Sequence, residues 1–255
     1  VWNPKAYTGS VSGNSFHLDF ADNSNNTATT LGKDSAGSNN WTPNNISVTA
    51  GAGNDSLKDS PTNGSASSGA DPGGSVVGNY ATLNPLDQRF TDNGTISNGN
   101  LDYSQSSTGS RTARCTVGVS SGKWYWEFTH LGGNASHGIA KSSCSLASYP
   151  GGVDADGWSW FAGGNIYNNG GSTAAYSGLT YTTNDVIGIA LDLDAGTLVF
   201  YKNGVSQGTA ASGLTGTWFP AFGSSSVAVV SFSANFGSRP FAYAAPSGFK
   251  SLNTA

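Results

Sequence analysis

The stretch 184–208, NDVIGIALDLDAGTLVFYKNGVSQG, decides how the chain folds. Ile187, Ile189, Leu191 and Leu193 alternate with Val186, Gly188, Ala190, Asp192 and Asp194, the period-two pattern of a half-buried strand with both aspartates on its less apolar face. The run stops at Asp194-Ala195-Gly196, a turn sequence, and a second strand, 197–202, returns at once. Asn203-Gly204 then gives the strongest short-range signal for another tight turn, with 205–208 leading away. Two hairpins in series form a meander, and 186–193 and 197–202 are expected to be adjacent antiparallel strands. In this reading Asp192 and Asp194 cap backbone at a strand end. A calcium loop would need six to eight oxygen ligands, and no such pattern surrounds them.

The same signals recur downstream of Tyr80. "GTISNGNLDYS", "ARCTVGVS", "GKWYWEFTH", "SHGIAKS", "DGWSWFAGG", "NIYNN", "TWFPAFG" and "VAVVSFSANFG" are short strand-like runs separated by Gly and Asn turns, and no helix of any length is signalled. This spacing predicts an all-β chain, an antiparallel two-sheet sandwich over residues 78–250. Residues 1–77 are rich in Asn, Ser, Gly, Thr and Asp, with strand-like islands at 15–20 and 44–50 and a turn-rich stretch at 63–75. They read as an extended arm that adds one or two strands to the sandwich, and 251–255 reads as a tail.

Composition narrows the function. Charged residues make up only 10%, against about 25% in an average soluble domain, and 36 glycines are present. A net charge of −4 without a basic cluster argues against nucleic acid and against an anionic membrane. No apolar run approaches the roughly 20 residues of a spanning helix, and no signal peptide is visible at Val1. The absence of Met points to a fragment or a processed chain. Cys115 and Cys144 are the only cysteines, with two reduced thiols as the ordinary reading and a bridge as the alternative. Sequons such as Asn45-Ile46-Ser47 and Asn134-Ala135-Ser136 carry no weight in a chain so rich in Asn, Ser and Thr.

Catalytic readings find little support. Cleaving a glycosidic bond takes two carboxyl groups, and this chain has one glutamate, Glu127, within a strand pattern. His17, His130 and His137 are scattered, none at zinc spacing with a cysteine, and no nucleophile elbow is present. Trp124, Trp126, Phe200, Phe219, Phe222, Phe232 and Phe236 alternate within strands and are expected in the core. Tyr149, Tyr167, Tyr176 and Tyr181 instead punctuate a stretch rich in Gly, Asn and Ser, the chemistry of adaptable binding loops. The candidate ligand-binding residues are therefore Tyr149, Asp154, Asp156, Tyr167, Asn168, Asn169 and Tyr176, in loops 148–157 and 165–181. No catalytic residue, metal site or cofactor is assigned.

The order of the motifs carries a resemblance. "GKWYWEFTH", "GIA", "GWSW", "NDVIGIALDLDAGTLVFYKNG", "WFPAFG" and "SANFG" follow one another as in SPRY domains, over roughly residues 80–240. The resemblance implies a bent sandwich of the concanavalin-type jelly-roll class that binds a partner through its loops, without catalysis. The flanks, "FHLDFADNS" through "NYATLNPLD" and the closing "RPFAYAAPSGFKSLNTA", are similar to SPRY-bearing structural proteins of marine bacteriophages, which commonly carry a laminin-G-like domain before such an arm. What this implies is a virion component, a tail fibre or appendage, assembled as a homo-oligomer such as a trimer. Its partners would be a host cell-surface glycan or protein and other virion subunits, with no nucleic acid and no membrane insertion. The alternatives are a purely structural module that contacts only virion subunits and, disfavoured by the lone glutamate, a glycan-cleaving enzyme.

Overall fold

The computed structural model describes residues 13–49, 55, 79–89, 94–105, 109–173, 179–224 and 229–254. The chain divides into two units, Val1–Lys58 and Asp59–Ala255. Among the described residues every strand lies in the second unit and no helix occurs. In chain order the strands are β1 (Leu83–Gln88), β2 (Gly94–Ser97), β3 (Asp102–Gln105), β4 (Arg111–Cys115), β5 (Lys123–Gly132), β6 (Ala135–Ala140), β7 (Gly157–Phe161), β8 (Ile166–Asn168), β9 (Gly171–Thr173), β10 (Val186–Asp192), β11 (Thr197–Lys202), β12 (Val205–Ala211), β13 (Phe219–Ser224), β14 (Val230–Asn235) and β15 (Lys250–Ser251). One sheet runs β1-β4-β13-β6-β7-β8-β9 and the other β12-β11-β10-β5-β14-β3-β2, with β15 joining β5. All pairings are antiparallel except that of β15, so the chain builds the two-sheet sandwich expected of it.

The opening hairpin forms in the register its pattern dictates, with Ile189 opposite Phe200 and Leu191 opposite Leu198. Ile187, Ile189, Leu191, Leu198 and Phe200 are all fully buried, on the face turned to the other sheet. Asp192 ends β10: its Oδ1 accepts the N–H groups of Asp194 (3.1 Å) and Ala195 (2.9 Å), and its other oxygen pairs with Lys123 at 3.0 Å. Asp194 accepts the N–H of Gly122 at 2.8 Å. Both carboxylates thus satisfy backbone donors where the ladder stops.

The outer face of β10 is also covered, which alternation alone does not indicate. Val186, Gly188 and Ala190 sit there, and the Tyr125 ring lies across them so closely that a Cβ on Gly188 would stand 2.3 Å from its hydroxyl. Residues 240–249 fold back over this surface. Phe241 packs edge-on against Tyr125 at 5.0 Å, with Tyr201, Ala245 and Phe249 beside them. The strap is fixed by Glu127, whose Oε2 accepts the N–H of Ala242 (2.8 Å) and whose Oε1 accepts the N–H of Tyr243 (3.0 Å) and the hydroxyl of Tyr125 (3.2 Å). Consequently β5 is buried on both faces, Trp126 and Phe128 inward, Tyr125 and Glu127 outward.

Three expectations are corrected. Within the expected tail 251–255 the described residues are tied down: Ser251 pairs parallel with Tyr125 on β5, Leu252 is fully buried and Asn253 bridges Tyr80. The islands at 15–20 and 44–50 form no sheet strand among the described residues. The described residues of the first unit are turn-rich, with a bridge between Leu18 and Asp34, because the Asp34 carboxylate gathers the N–H groups of His17, Ala36 and Asn39 into turns. Trp124 and Phe219 are only half-buried: Trp124 lies at the start of β5, and Phe219, three residues from the inward Phe222, falls on the outer face of its sheet. Both cysteines are buried and free, and burial pushes the Cys144 thiol up to about 12.

Candidate functional site

The loop between β6 and β7 and the β8–β9 hairpin lie side by side at one end of the first sheet. Asn169 N–H donates to Asp154 O (2.9 Å) and Gly170 N–H to Gly151 O (3.0 Å), so the 149–154 turn follows the hairpin tip. Gly151 is obligatory there. Its φ is +78°, and a Cβ would stand 2.5 Å from the carbonyl oxygens of both Gly157 and Tyr167. Tyr149, Phe161 and Tyr167 close into a three-ring cluster, with centroids 4.5, 5.0 and 5.2 Å apart and all three pairs edge to face. Burial, with Tyr167 beside it, raises the Tyr149 phenol above its ordinary value.

The polar candidates hold this loop in place. Asp154 accepts the N–H groups of Ser145 (2.8 Å) and Asp156 (3.0 Å). Asp156 accepts the Ser143 hydroxyl (2.7 Å) and lies 3.5 Å from the Lys141 ammonium. Asn168 donates through Nδ2 to the carbonyls of Gly157 (2.7 Å) and Ala155 (3.1 Å). The structure thus brings Tyr149, Asp154, Asp156, Tyr167, Asn168 and Asn169 together. It faces Val153, Asn169, Gly170 and Ser172 to solvent, with Tyr149 and Tyr167 half-exposed. Tyr176 lies outside the described residues.

Tyr181 does not belong to this surface. It is 2% exposed, and its hydroxyl lies 2.8 Å from Ala135 O and 2.9 Å from Trp160 O, pinning the segment before β10 to β6 and β7. Around it stand His130, His137 and Trp160, with ring centroids 5.1, 5.8 and 5.0 Å away. The two histidines, scattered in sequence, are neighbours in the core. Their alternation with Trp126, Phe128 and Ile139 carried that signal, because residues two apart on a strand share a face.

Neither enzymatic constellation assembles. Glu127 is 2% exposed beneath the 240–249 strap, with no path to a substrate. Burial raises its carboxyl above the ordinary range, while the donors from Ala242, Tyr243 and Tyr125 pull it back. In the first unit Ser35 Oγ lies 3.0 Å from His17 Nδ1. Asp34, however, engages the His17 backbone N–H and not the ring, so nothing orients the imidazole as a base.

The geometry is thus an antiparallel two-sheet sandwich with two half-exposed tyrosines on loops braced by their own side chains. Residues 123–239, just under half of the chain, match the family model of the SPRY domain, a family of protein–protein interaction modules in general, and the two-sheet sandwich is SPRY-like. An E3 ubiquitin-protein ligase of Arabidopsis thaliana, RKP, is 32% identical over 149 residues, which is 56% of this chain and 11% of that protein. The chain therefore spans about a tenth of that relative's length. The SPRY domain of human HERC1 superposes with a TM-score of 0.52 at 22% identity, covering 60% of this chain and 96% of that one. The TRIM65 PSpry domain gives 0.51 at 15% identity over 61% and 91%. At these identities the two structures speak for the fold.

Proposed function

We propose that this chain is a non-enzymatic binding module of a phage virion, a tail-fibre or appendage component that works as a homo-oligomer and recognises a protein or glycan on the host surface. The observation that carries the reading is the Tyr149–Phe161–Tyr167 cluster. Its backbone is braced by Asp154 and Asn168 and its base is the buried Phe161, so the two tyrosine rings are presented without an ordering cost at binding. The ordered motifs that flank the sandwich support the virion setting, and the general role of SPRY domains favours a protein epitope. Low charge suits this surface, which offers ring faces and amides in place of an electrostatic patch.

The test is binding of the purified chain to host cells and to isolated host-surface proteins and glycans. Tyr167→Ala should weaken binding by about 1–2 kcal/mol, roughly 5- to 30-fold, with little change in the thermal midpoint. Full binding by a folded Tyr167→Ala variant would move the site elsewhere.

A further inference from the structure

His137 sits on β6 at the rung where β13 places Phe222 and β7 places Trp160. It is fully buried, and neither ring nitrogen has a hydrogen-bond partner. Its ring stacks on Phe128 (4.7 Å, 17°) and meets Phe232 edge-on at 5.1 Å, with His130 at 6.1 Å. His130 Nδ1 is likewise buried without a partner. A buried imidazole left unpaired costs free energy even when neutral, and an imidazolium there costs far more.

The charged surroundings are sparse. On β5 the pair has His130 itself, with Glu127 on the opposite face of that strand. β14 contributes Phe232, β13 Phe222 and β7 Trp160. The segment before β10 contributes Tyr181, whose phenol burial raises far above its ordinary value, and Asp185. Burial raises the Asp185 carboxyl, but the Thr182 N–H, Asn203 and Lys202 outweigh it and leave it anionic well into acid. Burial lowers the basicity of both histidines; at His130 a backbone hydrogen bond with Gly133 and the Asp185 charge offset it only in part, and at His137 the neighbouring His130 adds to it. A stacked Phe128 offers some cation–π attraction, too weak to replace hydration.

His130 itself holds the segment, its N–H donating to Asp185 O (2.9 Å) and its carbonyl accepting the Asn184 N–H (2.7 Å), while Tyr181 N–H donates to Ala162 O just after β7 (3.1 Å). We propose that the His130–His137 pair is an acid-operated release for residues 179–185. With both rings neutral, Tyr181 closes the core over them. Protonation of either ring favours an open form in which Tyr181 has left Ala135 and Trp160 and water reaches the imidazoles. The release concerns the core and stands whether or not the neighbouring loops bind a host.

The experiment is hydrogen exchange on the full chain between pH 7.5 and 5.0, corrected for intrinsic rates. Protection of the Tyr181 and Asn184 amides should fall up to tenfold per pH unit below about 6.5 for each histidine kept from protonation. The β10–β11 amides should stay protected. His137→Phe should flatten the dependence by up to tenfold per unit. Equal protection across the range, the same dependence in a folded His137→Phe variant, or simultaneous loss of the β10–β11 amides would each overturn the proposal. Imidazole NMR of the wild type provides a check that needs no variant. His137 should stay neutral while the segment is closed, and an ordinary midpoint near 6.5 with the Tyr181 amide still protected would sink the idea.

Discussion

Glu127→Gln isolates the contact that holds the 240–249 strap over the outer sheet. The wild-type carboxylate faces three donors, the N–H groups of Ala242 and Tyr243 and the hydroxyl of Tyr125. A glutamine keeps one accepting oxygen and turns its amide NH2 toward one of the backbone N–H groups, leaving two buried donors opposed. An unsatisfied buried donor costs about 1–3 kcal/mol. Removing a charge that burial disfavours returns part of this, so the net loss should be about 1–2 kcal/mol. For a unit of this size that is a fall of roughly 2–8 °C in thermal midpoint. The assay is urea unfolding of the full chain followed by tryptophan fluorescence, with limited proteolysis reporting whether 240–249 becomes cleavable. The pH dependence has a definite sign. Because the folded carboxyl is raised above its unfolded value of about 4.3, its titration favours the folded state in acid and that contribution is lost as pH rises through the folded value. The stability gap between wild type and variant should therefore widen as pH falls from 7 toward 4. A variant as stable as wild type with an equally resistant strap would refute the reasoning. Release of reducing sugar by the wild type, abolished in this variant, would place Glu127 at a substrate and contradict its burial.

Asp192→Ala should cost about 1–2 kcal/mol by freeing the Asp194 and Ala195 donors. Burial raises this carboxyl, but Ala195, Lys123 and Asp194 outweigh it, so the contribution is present above about pH 4 and lost in acid below it, as thermal melts across pH 3–7 will show. Trp126→Ala, at a fully buried position, should cost about 3–5 kcal/mol in urea unfolding, whereas the half-buried Trp124→Ala should cost distinctly less. Gly151→Ala should lose at least about 1 kcal/mol to the left-handed backbone alone and weaken partner binding together with stability, measured by melting and by host-cell titration.

The hairpin of β10 and β11 was legible because its information is local: a two-residue period sets the buried face, and Asp-Ala-Gly sets the turn. The outer face was not legible. Gly188 and Ala190 read as its less apolar side, and only the strap 240–249, some fifty residues later, shows that they are small because Tyr125 and Phe241 lie on top. The candidate loops were found by composition, yet composition does not distinguish an aspartate that faces a ligand from one that ties its own loop. Asp154, Asp156 and Asn168 do tie their own loop. Tyr181 was grouped with the loop tyrosines because it stands among Thr and Asn residues, and its burial follows from a long-range fit against β6 and β7. Alternation with Trp126, Phe128 and Ile139 turns both histidines inward, but that they meet depends on β5 and β6 facing each other across the sandwich.

The clasp at the base of the sandwich has a mechanical consequence. Ala81 N–H donates to Leu252 O, Thr254 N–H to Asn79 O, and Asn79 N–H to the Thr254 hydroxyl, each at 3.0 Å. Residues 79–81 and 252–254 therefore lie side by side. Tension along the backbone would peel these few bonds one at a time, without shearing the sheets against each other. The unit should tolerate being grafted through residues 79 and 254 into a surface turn of an unrelated scaffold, because that turn would not have to open to admit it.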